Sequence, residues 1–70
     1  MYPNPVKGET LYFTDIEGNA SYRIFNLMGQ QIANGYTDNN SVNVSTLKPG
    51  SYIIEVSDNA SAGSKRFIKE

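Results

Sequence analysis

The chain contains no cysteine, no histidine and no tryptophan among its 70 residues. Without cysteine it can form neither a disulfide nor a thiolate metal site. Without histidine it lacks the usual metal ligand and the side chain that titrates near neutral pH. Serine and threonine are plentiful, but no histidine or cysteine can pair with them as a catalytic group, and no glycine-rich phosphate loop is present. We therefore expect no enzymatic activity and no catalytic, cofactor or metal site.

Charge of either sign and long apolar runs are also scarce. Six Lys and Arg face seven Asp and Glu, which leaves a net charge of −1 and no general attraction for nucleic acid or anionic membranes. No apolar run approaches the roughly 18 residues that cross a bilayer, and no signal peptide opens the chain. The sequence predicts no nucleic-acid partner and no direct membrane insertion. If the domain is exported, we expect its export signal on a preceding segment.

Apolar residues instead alternate with a period of two, and turn-forming residues separate the alternating runs. Such runs recur about every 8 to 12 residues, a spacing typical of a small antiparallel sandwich. The pattern also permits a short edge strand around Val6, in addition to six principal strands. The six principal strands are predicted at residues 10–15, 21–28, 30–36, 41–45, 51–58 and 64–69.

The same alternation predicts which side chains form the core. Phe25 and Ile53 lie on the face opposite their strongest neighbours, so we expect both to be half-buried at an edge. The predicted inward set is Leu11, Phe13, Tyr22, Ile24, Leu27, Ile32, Val42, Val44, Leu47, Tyr52, Ile54, Val56 and Phe67.

The two ends of the chain have distinct compositions. Pro3 and Pro5 lack backbone donors and hold the first residues extended, so the N-terminus is predicted to run as an edge segment. Lys65, Arg66 and Lys69 make the last six residues locally basic. No repeat or linker divides the chain, which favours a single domain over residues 1–70.

Four motifs, in this order, resemble a known family. They are Tyr2-Pro3-Asn4-Pro5, a strand that ends in Gly29-Gln30, the run Leu47-Lys48-Pro49-Gly50-Ser51-Tyr52, and the closing basic strand Lys65-Arg66-Phe67-Ile68-Lys69. Together they span nearly the whole chain. The sequence is similar to the C-terminal sorting domains (type A) of the type IX secretion system of Bacteroidetes.

This resemblance implies an immunoglobulin-like, all-β sandwich of about six or seven strands, excised from the C-terminus of a larger secreted protein. Its implied function is a secretion signal for an upstream cargo domain in cis. The implied partners are the type IX outer-membrane shuttle and sortase proteins, and the sortase usually removes the domain. The implied route runs through the periplasm to the cell surface or the medium. Glu70 departs from the family, in which many members end on Lys.

The residues also suggest how recognition would work. A terminal strand at a sheet edge offers backbone groups to a receptor strand, so we expect residues 65–69 to dock in this way, with their charges favouring an acidic receptor surface. The alternative is that Phe67 and Ile68 fill the core and the charges are only solvated. An open terminal strand would also allow an edge-strand homodimer.

Other motif residues have simpler structural interpretations. Gly50 is expected to give a type II turn with a positive φ, Gly29 to close a tight connection between strands, and Tyr52 to be a core aromatic. A second functional hypothesis is an adhesive or carbohydrate-binding module. Such a module would group exposed aromatics on one face, for which Tyr12 and Tyr36 are the outward candidates.

Overall fold

The computed structural model describes residues 5–13, 19–38, 40–58 and 62–70, which form six strands and no helix. The prediction of an all-β fold is confirmed, and no described helix could cross a membrane. The strands are β1 (Thr10–Tyr12), β2 (Ser21–Asn26), β3 (Gln31–Tyr36), β4 (Ser41–Asn43), β5 (Gly50–Ser57) and β6 (Ala62–Lys69).

The strands form two antiparallel sheets, as in a small β-sandwich. One sheet has two strands in the order β1-β4, and the other has four in the order β3-β2-β5-β6. Strands β5 and β6 are the longest pair, aligned from Gly50 opposite Lys69 to Ser57 opposite Ala62. Each observed strand starts within two residues of its predicted start, but several end earlier than predicted.

The core lies between the two sheets. Core residues from the small-sheet side meet the inner face of the larger sheet, where Tyr22 and Val56 are partly buried neighbours, and Leu47 packs against the core from the loop before β5. The residues from the small-sheet side are Leu11, Phe13, Val42 and Val44. Most of the predicted inward set is therefore confirmed. The buried inner-face residues of the larger sheet are Ile24, Tyr52, Ile54 and Phe67.

Ile32 contradicts the predicted phase of β3, because its side chain is 42% exposed. Between Ile24 and Phe25 the register of β2 with β3 shifts by one residue, so Ala33, not Ile32, lies opposite Ile24. The small residues Ala33 and Gly35 face the inside. A Cβ on Gly35 would lie 3.2 Å from the Tyr22 ring. At Gly35 the inner face of β3 needs a residue without a side chain, because the Tyr22 ring of β2 occupies the space beside it.

Leu27 was also wrongly predicted as core, since it is 55% exposed. Strand β2 ends at Asn26, two residues before its predicted end. The Asn26 side-chain oxygen accepts hydrogen bonds from the backbone N–H of Met28 (2.9 Å) and of Gln30 (3.0 Å). A short polar side chain that bonds the backbone two residues on favours a turn over a continued strand. Leu27 therefore lies in the β2–β3 turn.

Three buried residues were missing from the predicted core: Val6, Ala20 and Thr37. Ala20 and Thr37 close the end of the β2–β3 pair. The Thr37 N–H donates to the Ala20 carbonyl (2.8 Å), and the Ala20 N–H donates to Thr37 Oγ1 (2.9 Å). This second bond satisfies the hydroxyl oxygen, so burying this polar side chain carries little penalty.

Phe25 and Ile53 are half-buried as predicted, but they do not lie at an edge. They are directly opposite each other on β2 and β5, the two central strands of the larger sheet. Their side chains point away from the small sheet, because Ile24 and Ile54, the adjacent residues, point inward. We call this side of the larger sheet the outer face.

Candidate functional site

Strand β6 is the outermost strand of the larger sheet. Its one strand neighbour among the described residues is β5, so the terminal strand is not enclosed in the middle of a sheet. This position agrees with the sequence prediction for the last strand. The basic C-terminal motif is thus displayed on an edge.

The five motif residues of β6 divide by burial. Phe67 is fully buried, and its ring stacks on that of Tyr52 with 5.6 Å between the centroids. Lys65 and Arg66 are exposed, Lys69 is half-buried, and Ile68 is 43% exposed. One side chain therefore anchors the strand in the core while its basic neighbours face solvent. The alternative in which Phe67 and Ile68 both fill the core holds for Phe67 alone, because Ile68 is exposed, and docking of this strand stays a prediction.

The last residues of β6 already have a second backbone neighbour. Val6 forms a parallel bridge with Lys69. The Val6 N–H donates to the Ile68 carbonyl (2.7 Å), and the Glu70 N–H donates to the Val6 carbonyl (2.8 Å). The Ile68 carbonyl and the Glu70 N–H are therefore already hydrogen-bonded to Val6 of the same chain.

Gly29 and Gln30 form the β2–β3 turn, where Gly29 has a φ of +86°. The Gly29 N–H donates to the Asn26 carbonyl, and the Gln30 side-chain oxygen accepts a hydrogen bond from Asn26 Nδ2 (2.9 Å). A short turn with a left-handed glycine is a common hairpin connection. The predicted tight connection at Gly29 is confirmed, and both motif residues have a role within the hairpin.

The Leu47 to Tyr52 motif fixes the loop that leads into β5. Leu47 packs against the core, and the Tyr52 hydroxyl donates to the carbonyl of Lys48. Tyr52 is buried, as predicted. Gly50 has a positive φ, but its value of +155° is far from the roughly +80° of a type II turn, so the predicted turn type is wrong. Gly50 is instead the first residue of β5.

Of the N-terminal motif, Tyr2, Pro3 and Asn4 lie outside the described residues. Pro5 is described and exposed, and Val6 directly after it is fully buried. The motif therefore leads into a core residue that touches the C-terminal strand. Val6, the residue after this motif, thus contacts the end of the last motif, although more than sixty residues separate the two in sequence.

An apolar row on the outer face was not predicted as a site. Phe25 and Ile53 are directly opposite each other at its centre. Arg66, and not Ile68, is the β6 residue opposite Ile53, and Ile68 lies two residues further along β6, opposite Ser51. On β3, Ile32 is next to Gln31, the residue opposite Phe25. The Arg23 guanidinium lies 5.6 Å from the centre of the Phe25 ring and 2.6 Å from a Glu55 oxygen. The signal available in the sequence was the uninterrupted apolar pairs Ile24-Phe25 and Ile53-Ile54, which place apolar side chains on both faces of a strand.

The described residues contain no group of three or more His, Cys, Asp or Glu side chains that could hold a metal ion. In the same part of the chain, no buried side-chain nitrogen or oxygen lacks a hydrogen-bond partner. The geometry thus offers a strand edge, an apolar row and basic side chains, which suit binding to another protein.

A comparison with family models decides between the functional hypotheses. The model described as "secretion system C-terminal sorting domain" matches residues 1–70, the whole chain. The chain belongs to this family. No curated protein and no solved structure matches it.

The sorting domain is a C-terminal signal of the type IX secretion system. Membership in this family implies a source among the Bacteroidetes. This membership means that it acts with the type IX machinery on a cargo in cis, which is exported to the cell surface or secreted. Its family consists of secretion signals and is not a known family of enzymes.

Nothing favours the adhesive alternative. Tyr12 and Tyr36 are both exposed, but Tyr12 is in the two-stranded sheet and Tyr36 in the four-stranded one. A sugar-stacking platform needs its aromatics grouped on one surface.

Proposed function

We propose that the type IX machinery recognises the sorting domain through the side chains that β6 displays at the edge of the larger sheet. The observation that carries this proposal is the division of the C-terminal motif into a buried anchor and exposed basic neighbours. Phe67 fixes the strand, while Lys65 and Arg66 face solvent. A rigid, well-placed charged strand gives a receptor a defined target at a small cost in conformational entropy.

The charge of β6 suits an acidic receptor surface. Lys65, Arg66 and Lys69 lie within five consecutive residues, although the whole chain carries a net charge of −1. Complementary charge speeds encounter and excludes wrong partners more than it adds affinity. The partners we propose are the outer-membrane shuttle and, after it, the sortase, with the domain passing through the periplasm and performing no chemistry itself.

The remaining motif residues serve the framework in this proposal. Gly29 and Gln30 shape a hairpin, and Leu47, Gly50 and Tyr52 position β5, which carries β6. The domain over residues 1–70 would act as one unit at the end of a cargo protein. Docking of residues 65–69 by strand addition stays a prediction, and at Ile68 and Glu70 it would compete with the hydrogen bonds to Val6.

The test is an export assay with matched charge reversals. Residues 2–70 are placed behind an export signal and a fluorescent protein in a bacterium with a type IX system. The double variant Lys65→Glu/Arg66→Glu is compared with Lys7→Glu/Lys48→Glu, which changes net charge equally at exposed residues outside β6. Deleting residues 65–70 would be a poor test, because it also removes Phe67 from the core.

We expect the parent and the Lys7/Lys48 variant to reach the cell surface or the medium and the Lys65/Arg66 variant to remain in the periplasm. Circular dichroism and a thermal melt of each purified domain confirm that the variants fold. Equal export of both variants would show that the β6 charges are not recognised. Retention of the parent reporter in the periplasm would contradict the proposed function of residues 2–70 itself.

A further inference from the structure

Strand β3 forms the other edge of the larger sheet, and in the described part of the chain only β2 pairs with it. Apart from this pairing, residues 31–36 make no hydrogen bond to another described residue. The strand contains neither proline nor a charged side chain, two of the devices by which natural sheets prevent edge-to-edge pairing. Its outer backbone groups are therefore open to another strand.

The backbone of β3 alternates between β2 and this open edge. Thr37, directly after the strand, donates its N–H to the Ala20 carbonyl, directly before β2. In an antiparallel pair, every second residue bonds to the neighbouring strand. Counted back from Thr37, the N–H and carbonyl groups of Asn34 and Tyr36 therefore point to the open edge. The register shift with β2 lies before Ala33 and leaves this part of β3 regular.

The side chains of β3 are complementary to those of a second copy. On the outer face, Asn34 stands midway between Ile32, which is 42% exposed, and Tyr36, which is 76% exposed. Two copies of β3 that run antiparallel about Asn34 place each Ile32 opposite the partner's Tyr36, and an aromatic side chain opposite a β-branched one is a favourable cross-strand pair. On the inner face, Ala33 lies opposite the partner's Gly35, where both residues are small.

The other antiparallel registers that bring outward backbone groups together fit less well. They are shifted by one residue at the centre, to Gly35 or to Ala33. A pair centred on Gly35 places Ile32 opposite the partner's Asp38. A pair centred on Ala33 places Tyr36 opposite the partner's β2–β3 turn. Only the register centred on the residue between them pairs the two large side chains with each other.

Charge favours β3 over β6 as the edge that two copies share. Strand β6 contains Lys65, Arg66 and Lys69, so pairing of two β6 strands brings together three basic residues from each copy. Like charges across a strand pair are destabilising. Strand β3 has no charge to repel its own copy.

We propose that two copies of the domain pair through β3, antiparallel and with twofold symmetry about Asn34, in an arrangement that we call the β3 dimer. The Asn34 N–H of each copy donates to the partner's Asn34 carbonyl, and the two four-stranded sheets join into one. The two β6 strands lie at the far ends of the joined sheet and stay accessible. Because one strand pair is a small interface, the dimer is weak and forms at high concentration.

The first test is sedimentation equilibrium of the purified 70-residue chain over a range of concentrations. Asn34→Pro removes the central donor, and the ladder with β2 keeps its bonds because this N–H points away from β2. Asn34→Ala retains the donor and is the matched control. We expect a dimer in the parent and in Asn34→Ala, and a dissociation constant raised about tenfold in Asn34→Pro, as the loss of two hydrogen bonds predicts.

Circular dichroism and a thermal melt of each variant show whether it folds. A parent that remains a monomer at millimolar concentration would overturn the β3 dimer, and so would a dimer that a folded Asn34→Pro variant leaves unchanged. The double variant Lys65→Glu/Arg66→Glu should dimerise as the parent does. Loss of the dimer in this variant would place the interface on β6 instead.

The second test probes the register and does not depend on proline. In Ile32→Lys/Tyr36→Glu the introduced charges lie opposite complementary charges of the partner, whereas in Ile32→Lys/Tyr36→Lys they lie opposite like charges. Within one strand the two positions are about 13 Å apart, so neither variant gains an ion pair of its own. At low salt we expect the first variant to dimerise and the second to remain a monomer.

Equal association of the two charge variants would contradict the register centred on Asn34. High salt should reduce the difference between them, since the opposed charges are exposed to solvent. All these measurements use the purified domain, without the secretion machinery. Their outcome is therefore independent of whether β6 is recognised in export.

Discussion

The two edges of the larger sheet, β3 and β6, are protected in different ways. Strand β3 has no charged side chain in its sequence Gln31–Tyr36, whereas β6 has three basic ones. Strand β3 is shaped by its own hairpin: a register shift opposite Phe25 and the small residues Ala33 and Gly35 on its inner face. Strand β6 is flanked at its end by Val6, from the other end of the chain.

The difference shows which edge can respond to events outside the domain. A register shift and a tight turn are local features that form together with the hairpin. The contact of Val6 with β6 instead closes a loop of more than sixty residues. It also lies in the segment that would lead to the cargo. Edge β3 is therefore fixed by local geometry, and edge β6 depends on a long-range contact.

The largest effect is expected when the buried side chain that anchors β6 is removed. Phe67→Ala empties a fully buried position on β6 and should lower the free energy of unfolding by about 3–5 kcal/mol. A domain of this size has little stability to lose, so we expect the variant to be largely unfolded. Urea denaturation followed by circular dichroism measures the change.

The matching change on the other edge is Ile32→Ala, at a side chain that is 42% exposed. It should cost less than about 1 kcal/mol. A loss as large as that of Phe67→Ala would mean that β3 is anchored through its outer face.

The strands and much of the core were predictable because alternation is local. Residues such as Ile24, Ile54 and Phe67 stand in runs whose period of two marks the buried face directly. The prediction failed where a single residue changes the phase. Asn26 ends β2 before Leu27, and the register shift moves Ile32 outward. Neither the early end of β2 nor the register shift depends on hydrophobicity, so the apolar pattern could not predict them.

The candidate site was predictable only in part. The basic residues of the last strand and the position of that strand at an edge followed from sequence order and composition. The contact of Val6 with Ile68 and Glu70 did not, because nothing local to either end specifies a partner so distant in the chain. The outer-face row of Phe25 and Ile53 was anticipated as half-buried, but its central position depends on the order of the strands.

A smaller effect is expected from loosening the long-range contact alone. Val6→Ala removes two buried methyl groups and should cost about 2 kcal/mol. Val44→Ala, at an equally buried valine of the core cluster, is the control for stability.

The two valine variants should differ in where they loosen the domain. In Val6→Ala, amide exchange should rise most at Glu70, whose N–H donates to the Val6 carbonyl. In Val44→Ala it should rise without this preference. The same exchange pattern in both would mean that Val6 contributes only apolar volume and does not hold the edge of β6.

The smallest effect is expected from a substitution in the β2–β3 turn, which shapes the β3 edge. Gly29→Ala places a Cβ in open space, but at a φ of +86° that alanine tolerates poorly, so we expect a loss of about 1 kcal/mol. Gly8→Ala is the matched control, since its Cβ also meets nothing within 4 Å and its φ is not in the left-handed range. Thermal melts of the two variants compare the losses of stability.

Because the strain at Gly29 is confined to the hairpin, the amide exchange rate of Glu70 should rise only by the amount that the lower free energy of unfolding predicts. A selective increase at Glu70 would show that the two edges are coupled, contrary to the division drawn between a locally fixed edge and one held by the chain ends.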